Sequence, residues 1–401
     1  MKFDFMTMPD RAGKDAIAAE VIPFADAEVK PGFDRIPMWV ADMNFPTAPA
    51  VTRRIIERAA HPLFGYFSPS DEYYNAILSW QARRNGVTDL TKDCIGYENG
   101  VLGGVVSAAK LFCPPDGAIL LHSPTYIGFT RCLEENGFRL VTSPLVKDGE
   151  GVWRMDFADM ERRIIENNIR CAVLCSPHNP AGRVWEAEEL RRAAGLFEKY
   201  DVKIIADEIW SDLVLPGYTH TPFQSVSAYA RDNTVALYAP SKTFNLAGLV
   251  GSYHIIRSPE LRERYARVSA ASHYNSMNVL SMHALIGAYS GEGETWLEEL
   301  LAVLDYNVRF ACDYIQKYFP GVSVTRPQGT YMLFLDCSAY CARAGCSLDE
   351  LLRRGVSVGV IWQDGRPFHG PCHIRMNLAL PFPKLREAFA RLREYAIIPE
   401  E

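Results

Sequence analysis

Four short apolar runs, each closing on a residue able to do chemistry, constrain this chain more than any other feature. They are "GAILLHSPTY" (Gly117–Tyr126), "IRCAVLCSPHNPAG" (Ile169–Gly182), "DVKIIADEIW" (Asp201–Trp210) and "NTVALYAPSK" (Asn233–Lys242). Helical patterns such as "EAEELRRAAGLFEKY" separate them. Apolar strands of this length, alternating with helices, predict an α/β fold with a mostly parallel central sheet sandwiched by helices. Ligands bind such sheets outside the carboxyl ends of the strands. The four runs would deliver Tyr126, Asn179, Asp207 and Lys242 there.

The rhythm changes near Gly291. "ETWLEELLAVLDYNVRFACDYIQKYF" repeats apolar residues at i, i+3/i+4 and i+7 and predicts one long amphipathic helix. Strand-like "GTYMLFLDC" and "HIRMNLAL" follow, with helical "SLDELLRRG" between them and "PKLREAFARLREYA" after them. The expected organisation is a large domain over residues 46–290 and a small α+β domain over 291–401, joined by the N-terminal segment 1–45. A chain of 401 residues suits that division.

Composition narrows the class. A formal charge of −6 argues against a nucleic-acid or anionic-membrane surface. The N-terminus "MKFDFMTMPDRAGKDA" has no apolar signal core, and no stretch reaches the roughly 18 apolar residues of a membrane span. Ten cysteines are scattered without a C-x-x-C array, and the densest group, Cys337, Cys341 and Cys346, lacks zinc spacing. They read as reduced thiols of a cytoplasmic protein with no metal site.

Taken singly, the candidate residues say little. Tyr126 could be a core tyrosine, Asn-Pro is a common turn, and a lysine after a strand is usually a solvated loop residue. Asp207 is more demanding, because a carboxylate ending a buried strand needs a partner. Upstream, "YENGVLGGVVSAAKLF" (Tyr97–Phe112) puts Asn-Gly before a small-residue helix, whose start can hold a phosphate. An amine, a carboxylate, a stacking aromatic, an amide and a phosphate-binding helix start together suit one cofactor, pyridoxal 5′-phosphate.

Longer motifs carry a resemblance. "IPMWVADMNFPTAPAV", "FGYFSP", "SPHNPAGRVW", "DEIWSDLVLPGYTHTPF", "APSKTFNLAGL" and "HIRMNLALP" resemble the MalY/PatB branch of the class I/II aminotransferase superfamily, from about residue 33 to the C-terminus. That branch holds cystathionine and cysteine-S-conjugate β-lyases of PLP fold type I. The resemblance implies that Lys242 is the Schiff-base lysine and the base for the Cα proton. It implies that Asp207 pairs with the pyridine nitrogen, Asn179 with the ring hydroxyl, and Tyr126 with the ring face. Backbone N–H groups of Val101 and Leu102, with the Ser241 hydroxyl, would bind phosphate. Tyr66 would reach the neighbouring subunit's cofactor, which implies a homodimer with shared sites. Arg375 would grip the substrate α-carboxylate, with the backbone at Val40 and Ala41 lining the same site. Trp39, Tyr126 and Trp210 would make the side-chain pocket aromatic.

Three positions depart from the family pattern. Trp210 stands where a tyrosine or histidine is usual, and an indole donates one hydrogen bond but accepts none. Asn44 replaces an aspartate, which is expected to remove a charge near the site entrance. Val250 stands where many class I aminotransferases carry a phosphate-binding arginine. The reaction the resemblance implies is α,β-elimination of L-cystathionine or related cysteine S-conjugates to thiol, pyruvate and ammonia. An aminotransferase of aromatic or neutral amino acids is the second reading, and a non-catalytic regulator on the same fold the third.

Overall fold

The computed structural model describes residues 1–24 and 26–398, so Ala25 and the last three positions of the expected small domain lie outside it. Two compact units divide the chain. The larger comprises Thr47–Asn179 and Arg183–Glu298; the smaller comprises Met1–Pro46, Pro180–Gly182 and the chain from Glu299 onward. The expected breaks after residues 45 and 290 compare with observed ones after 46 and 298. The second falls inside the continuous helix Gly291–Tyr318, whose amphipathic pattern gives no internal signal of a boundary.

The large unit is built on seven strands: β1 (Ile95–Glu98), β2 (Ala118–Ser123), β3 (Arg139–Pro144), β4 (Cys171–Cys175), β5 (Lys203–Asp207), β6 (Thr234–Tyr238) and β7 (Ser252–Ile255). Their order is β1-β7-β6-β5-β4-β2-β3. All neighbouring pairs from β6 to β3 are parallel, and β7 runs antiparallel to both β6 and β1. Every residue of β4 and β6 is buried, as a sheet covered on both faces requires. From β2 the chain passes to β3 on one side, then returns to β4 and proceeds through β5 to β6 on the other. The order therefore reverses between β2 and β4, the switch point at which such sheets bind ligands.

Flanking helices follow local rules. Helix α1 (Val101–Phe112) begins after Gly100, whose φ of +89° is disfavoured for a residue with a Cβ. It packs so closely on β6 that a Cβ at Gly104 would lie 2.6 Å from Leu237 Cδ2. Helix α2 (Ile127–Glu135) covers β2 and β3, and its Phe129 and Leu133 join the same core. Helix α3 (Ala187–Lys199) starts with a capping box between Glu186 and Glu189 and buries Leu190, Ala193, Ala194 and Phe197 at helical spacing. Each large apolar side chain so buried contributes about 1.5–3 kcal/mol.

One sheet of the small unit holds four strands, β8 (Ser323–Val324), β9 (Met332–Asp336), β10 (Gln363–Asp364) and β11 (His373–Asn377), in the antiparallel order β8-β9-β11-β10. Ile36–Pro37 pairs in parallel with Val360–Ile361, which builds the N-terminal segment into this unit. Among the described residues, no helix is long and apolar enough to cross a membrane.

Candidate active site

The four apolar runs become four adjacent strands, β6, β5, β4 and β2, pointing the same way. Register aligns Cys175 with Asp207 and Asp207 with Leu237, so the strands end side by side. Two backbone bonds extend the pairing past the ends: Ser176 N–H to Asp207 O and Glu208 N–H to Leu237 O, both 2.9 Å.

Lys242 lies just past β6 in a one-turn helix, Pro240–Thr243, with proline in its first turn. Neighbouring Thr243 donates its hydroxyl to Asp212 at 3.0 Å, and Trp80 Nε1–H donates to the same carboxylate at 3.0 Å. Both donors are neutral and Asp212 is buried, so burial pushes its carboxyl up. Phe244 packs on Trp80 and Trp296, at centroid distances of 5.9 and 5.5 Å. The lysine-bearing turn is thus anchored through the two residues that follow the amine. Lys242 Nζ sits 5.9 Å from the ring centroid of buried Trp210.

Asp207 is 4% exposed and accepts the Ile209 N–H at 3.0 Å. Burial raises its carboxyl from the ordinary 3.8 to about 7; that backbone N–H and the Lys242 ammonium pull down, and Glu208 pushes up. A buried carboxylate so raised is short of a directly bonded cation, which is what a pyridinium N–H would supply. Asn179 is buried just beyond β4. Tyr126 precedes α2, its ring edge-on to Phe129 at 5.3 Å and lying over Gly128, where any Cβ would collide with it.

Val101 and Leu102 are the first residues of α1, and their N-cap, Gly100, has no side chain to bond the N–H groups of the first turn. Val250 lies next to this helix start, since a Cβ at Gly100 would be 3.8 Å from Val250 Cγ1. It holds φ of +54°, an unfavourable value for a β-branched residue, and its carbonyl accepts the Tyr97 hydroxyl at 3.3 Å. Ser241 is half-buried beside Lys242. Tyr66 is fully exposed on an irregular stretch with Leu63, Phe64 and Phe67, lining one hollow with Tyr97 and Asn275.

The small unit groups the remaining candidates. Arg375, on β11, is 3% exposed. Its Nη2 donates to Trp39 O at 3.1 Å and to Gln363, and its guanidinium lies 4.3 Å from the Phe368 ring centroid. Asn377 donates to Val40 O at 2.7 Å, fixing the backbone that continues into half-buried Ala41. Trp39 Nε1–H is engaged by Ala18 O at 3.1 Å.

Asn44 is itself buried: it is 2% exposed, donates to Pro37 O at 3.1 Å and accepts from Arg11 at 3.2 Å. It is a buried amide fastening its own loop, while the charge beside it is Asp42, ion-paired with Arg11 at 2.6 Å. Sequence reasoning also missed Asp212, Gln363, Asn377 and Glu208. Fully buried Glu208 takes Tyr238, His220 and the Phe223 N–H, tying the ends of β5 and β6 together. Only the doubled acids of "ADEIWSD" hinted at the two carboxylates.

The family model for aminotransferase class I and II matches residues 36–392. Cystathionine beta-lyase PatB of Bacillus subtilis is 33% identical over 363 residues, 90% of this chain and 92% of that protein. Protein MalY of Escherichia coli is 29% identical over 398 residues, 97% of this chain and 98% of its own. The PLP-bound C-S lyase from Staphylococcus hominis superposes with a TM-score of 0.89 at 29% identity, covering 100% of this chain and 99% of that one.

Proposed function

The chain belongs to the aminotransferase class I and II family, and from that premise we propose that it is a pyridoxal 5′-phosphate-dependent carbon–sulfur β-lyase. Its substrates are L-cystathionine or related cysteine S-conjugates, each converted with one water to a thiol, pyruvate and ammonia. The observation that carries this reading is the cluster at the ends of four adjacent strands: Lys242, Asp207, Asn179 and Tyr126. Asp207 tests the fit, because its raised carboxyl is what a buried site built for a cationic ring nitrogen shows when that cation is lacking.

Each residue has a task. Lys242 would hold the cofactor aldehyde, Asp207 the ring nitrogen, Asn179 the ring hydroxyl and Tyr126 the ring face. The first N–H groups of α1, at Val101 and Leu102, and the Ser241 hydroxyl would hold the phosphate, with Val250 leaving the helix start without an arginine. When bound, the cofactor supplies an electron sink for the pair left at Cα. The Lys242 amine takes the Cα proton, and the anchored turn at Asp212 keeps that amine in place. Arg375 receives the substrate carboxylate, pre-oriented by Trp39 O, Gln363 and Phe368. Tyr126 and Trp210 would favour a thioether over a charged side chain, and the backbone at Val40 and Ala41 would give the edge beside Arg375.

Dimerisation belongs to the same proposal. The exposed Leu63, Phe64, Tyr66 and Phe67 are an apolar surface suited to a second copy, with Tyr66 contributed to the neighbour's phosphate. We place the enzyme in the cytoplasm, in keeping with ten cysteines that are all free thiols. The test is incubation with L-cystathionine and no keto acid. Equimolar thiol, pyruvate and ammonia support the lyase; turnover only after a keto acid is added refutes it in favour of transamination.

A further inference from the structure

Cysteines scattered in the sequence gather at one edge of the small unit. Cys337 follows β9 and Cys372 precedes β11; the pairing of Asp336 with His373 sets them opposite each other, and Cys337 N–H donates to Cys372 O at 2.8 Å. One helical turn on, in the helix Ser338–Ala344, Cys341 N–H donates to Cys337 O at 2.9 Å. Gly345, at φ +58°, ends that helix, and Cys346 N–H returns to Cys341 O at 3.1 Å. Three backbone bonds therefore link four cysteines in series. The Cys341 thiol neighbours those of both Cys372 and Cys346. Cys337 and Cys341 are buried, whereas Cys346 and Cys372 are half-exposed.

Among the described residues no group of three or more His, Cys, Asp or Glu side chains could hold a metal ion, so the chemistry on offer is between pairs of thiols. We propose that Cys341 and Cys372 form a reversible disulfide, with Cys346 as the alternative partner of Cys341, making this edge of the small unit a site of oxidative modification. The oxidant is a low-molecular-weight disulfide. The Cys372 thiolate attacks one of its sulfurs and releases the first small thiol; the Cys341 thiolate then attacks the Cys372 sulfur and releases the second. Two protein thiols lose two electrons and two protons, and the small disulfide takes up both as two thiols.

Accessibility sets the order of attack. Half-exposed Cys372 meets the oxidant first, while burial and its thiol neighbours push Cys341 up to about 12, so Cys341 is the slower nucleophile and acts second, on the sulfur already held beside it. The large unit provides a control. Cys113 and Cys171 are also in thiol contact, but they are 8% and 0% exposed within the core and closed to an oxidant.

The test treats the holoenzyme with oxidised glutathione, blocks remaining thiols and maps linkages by mass spectrometry without reduction. Arg343 and Arg353 place Cys341, Cys346 and Cys372 on separate tryptic peptides. A Cys341–Cys372 link that dithiothreitol removes is the expected result. In Cys372→Ser the link should move to Cys341–Cys346, and in Cys341→Ser, or Cys341→Ala should the serine variant fold poorly, glutathione should stay on Cys372. Glutathione adducts on Cys372 and Cys346 of the wild type with no internal link would overturn the proposal, as would a link confined to Cys113 and Cys171.

Discussion

Replacing Asp207 with asparagine keeps the shape, and an acceptor for the Ile209 N–H, but removes the buried charge. In the cofactor-free protein, burial raises Asp207 from 3.8 to about 7. Between those values the folded state holds a proton that the unfolded state has released. Stability contributed at this site is therefore present below pH 4 and lost as pH rises through 7. A rise of about three pH units is worth roughly 4 kcal/mol at ~1.4 kcal/mol per unit, fully expressed only above pH 7. Cofactor-free Asp207→Asn lacks this titration, so its stability relative to wild type should grow by roughly 2.5 kcal/mol from pH 5 to pH 8. Urea unfolding of both cofactor-free proteins at pH 5, 6.5 and 8 measures the gap. With cofactor bound the sign should invert, because asparagine cannot balance a cationic ring nitrogen and cofactor affinity falls. Parallel pH dependences of the two cofactor-free proteins would refute the claim that Asp207 is buried without an adequate cation.

Three other outcomes are expected. Lys242→Ala should lower the elimination rate by roughly 10³-fold or more while the fold persists by circular dichroism; borohydride should then no longer fix the cofactor to the chain. Arg375→Lys should lower kcat/KM by ~10²-fold, about 3 kcal/mol, since an ammonium cannot reproduce the fork held by Trp39 O and Gln363; steady-state kinetics with substrates that keep or lack the α-carboxylate check it. Asp212→Ala should destabilise the protein by about 1–3 kcal/mol, because the buried Trp80 and Thr243 donors lose their acceptor; chemical denaturation reads this, and a matching fall in kcat shows that the turn positions Lys242.

The four strands were legible because a strand buried on both faces must be a continuous aliphatic run, and "CAVLC", "KIIAD" and "TVALY" are such runs. Their neighbours were harder to see. β1 and β7 are short, and β7 carries His254 toward Glu98, so polarity hid their pairing with the sheet. Lys242, Asp207, Asn179 and Tyr126 could be named because each lies at the end of such a run or within four residues of it. Asp212, Gln363 and Asn377 could not, because a side chain that holds another in place has no local pattern; its partner is chosen by folding.

The same distinction runs through the whole molecule. Periodicity and strand-end chemistry are local, so sequence alone determined the alternation of strands and helices, the large and small parts, and the cofactor that five residue types imply. Adjacency across the chain is not local. Only tertiary structure decided that β6, β5, β4 and β2 are neighbours, that Asn44 is a buried fastener of its own loop, and that Cys372 lies beside Cys341. Those outcomes depend on which backbone groups pair at long range, and pairing energies act between residues whose separation in sequence carries no signal.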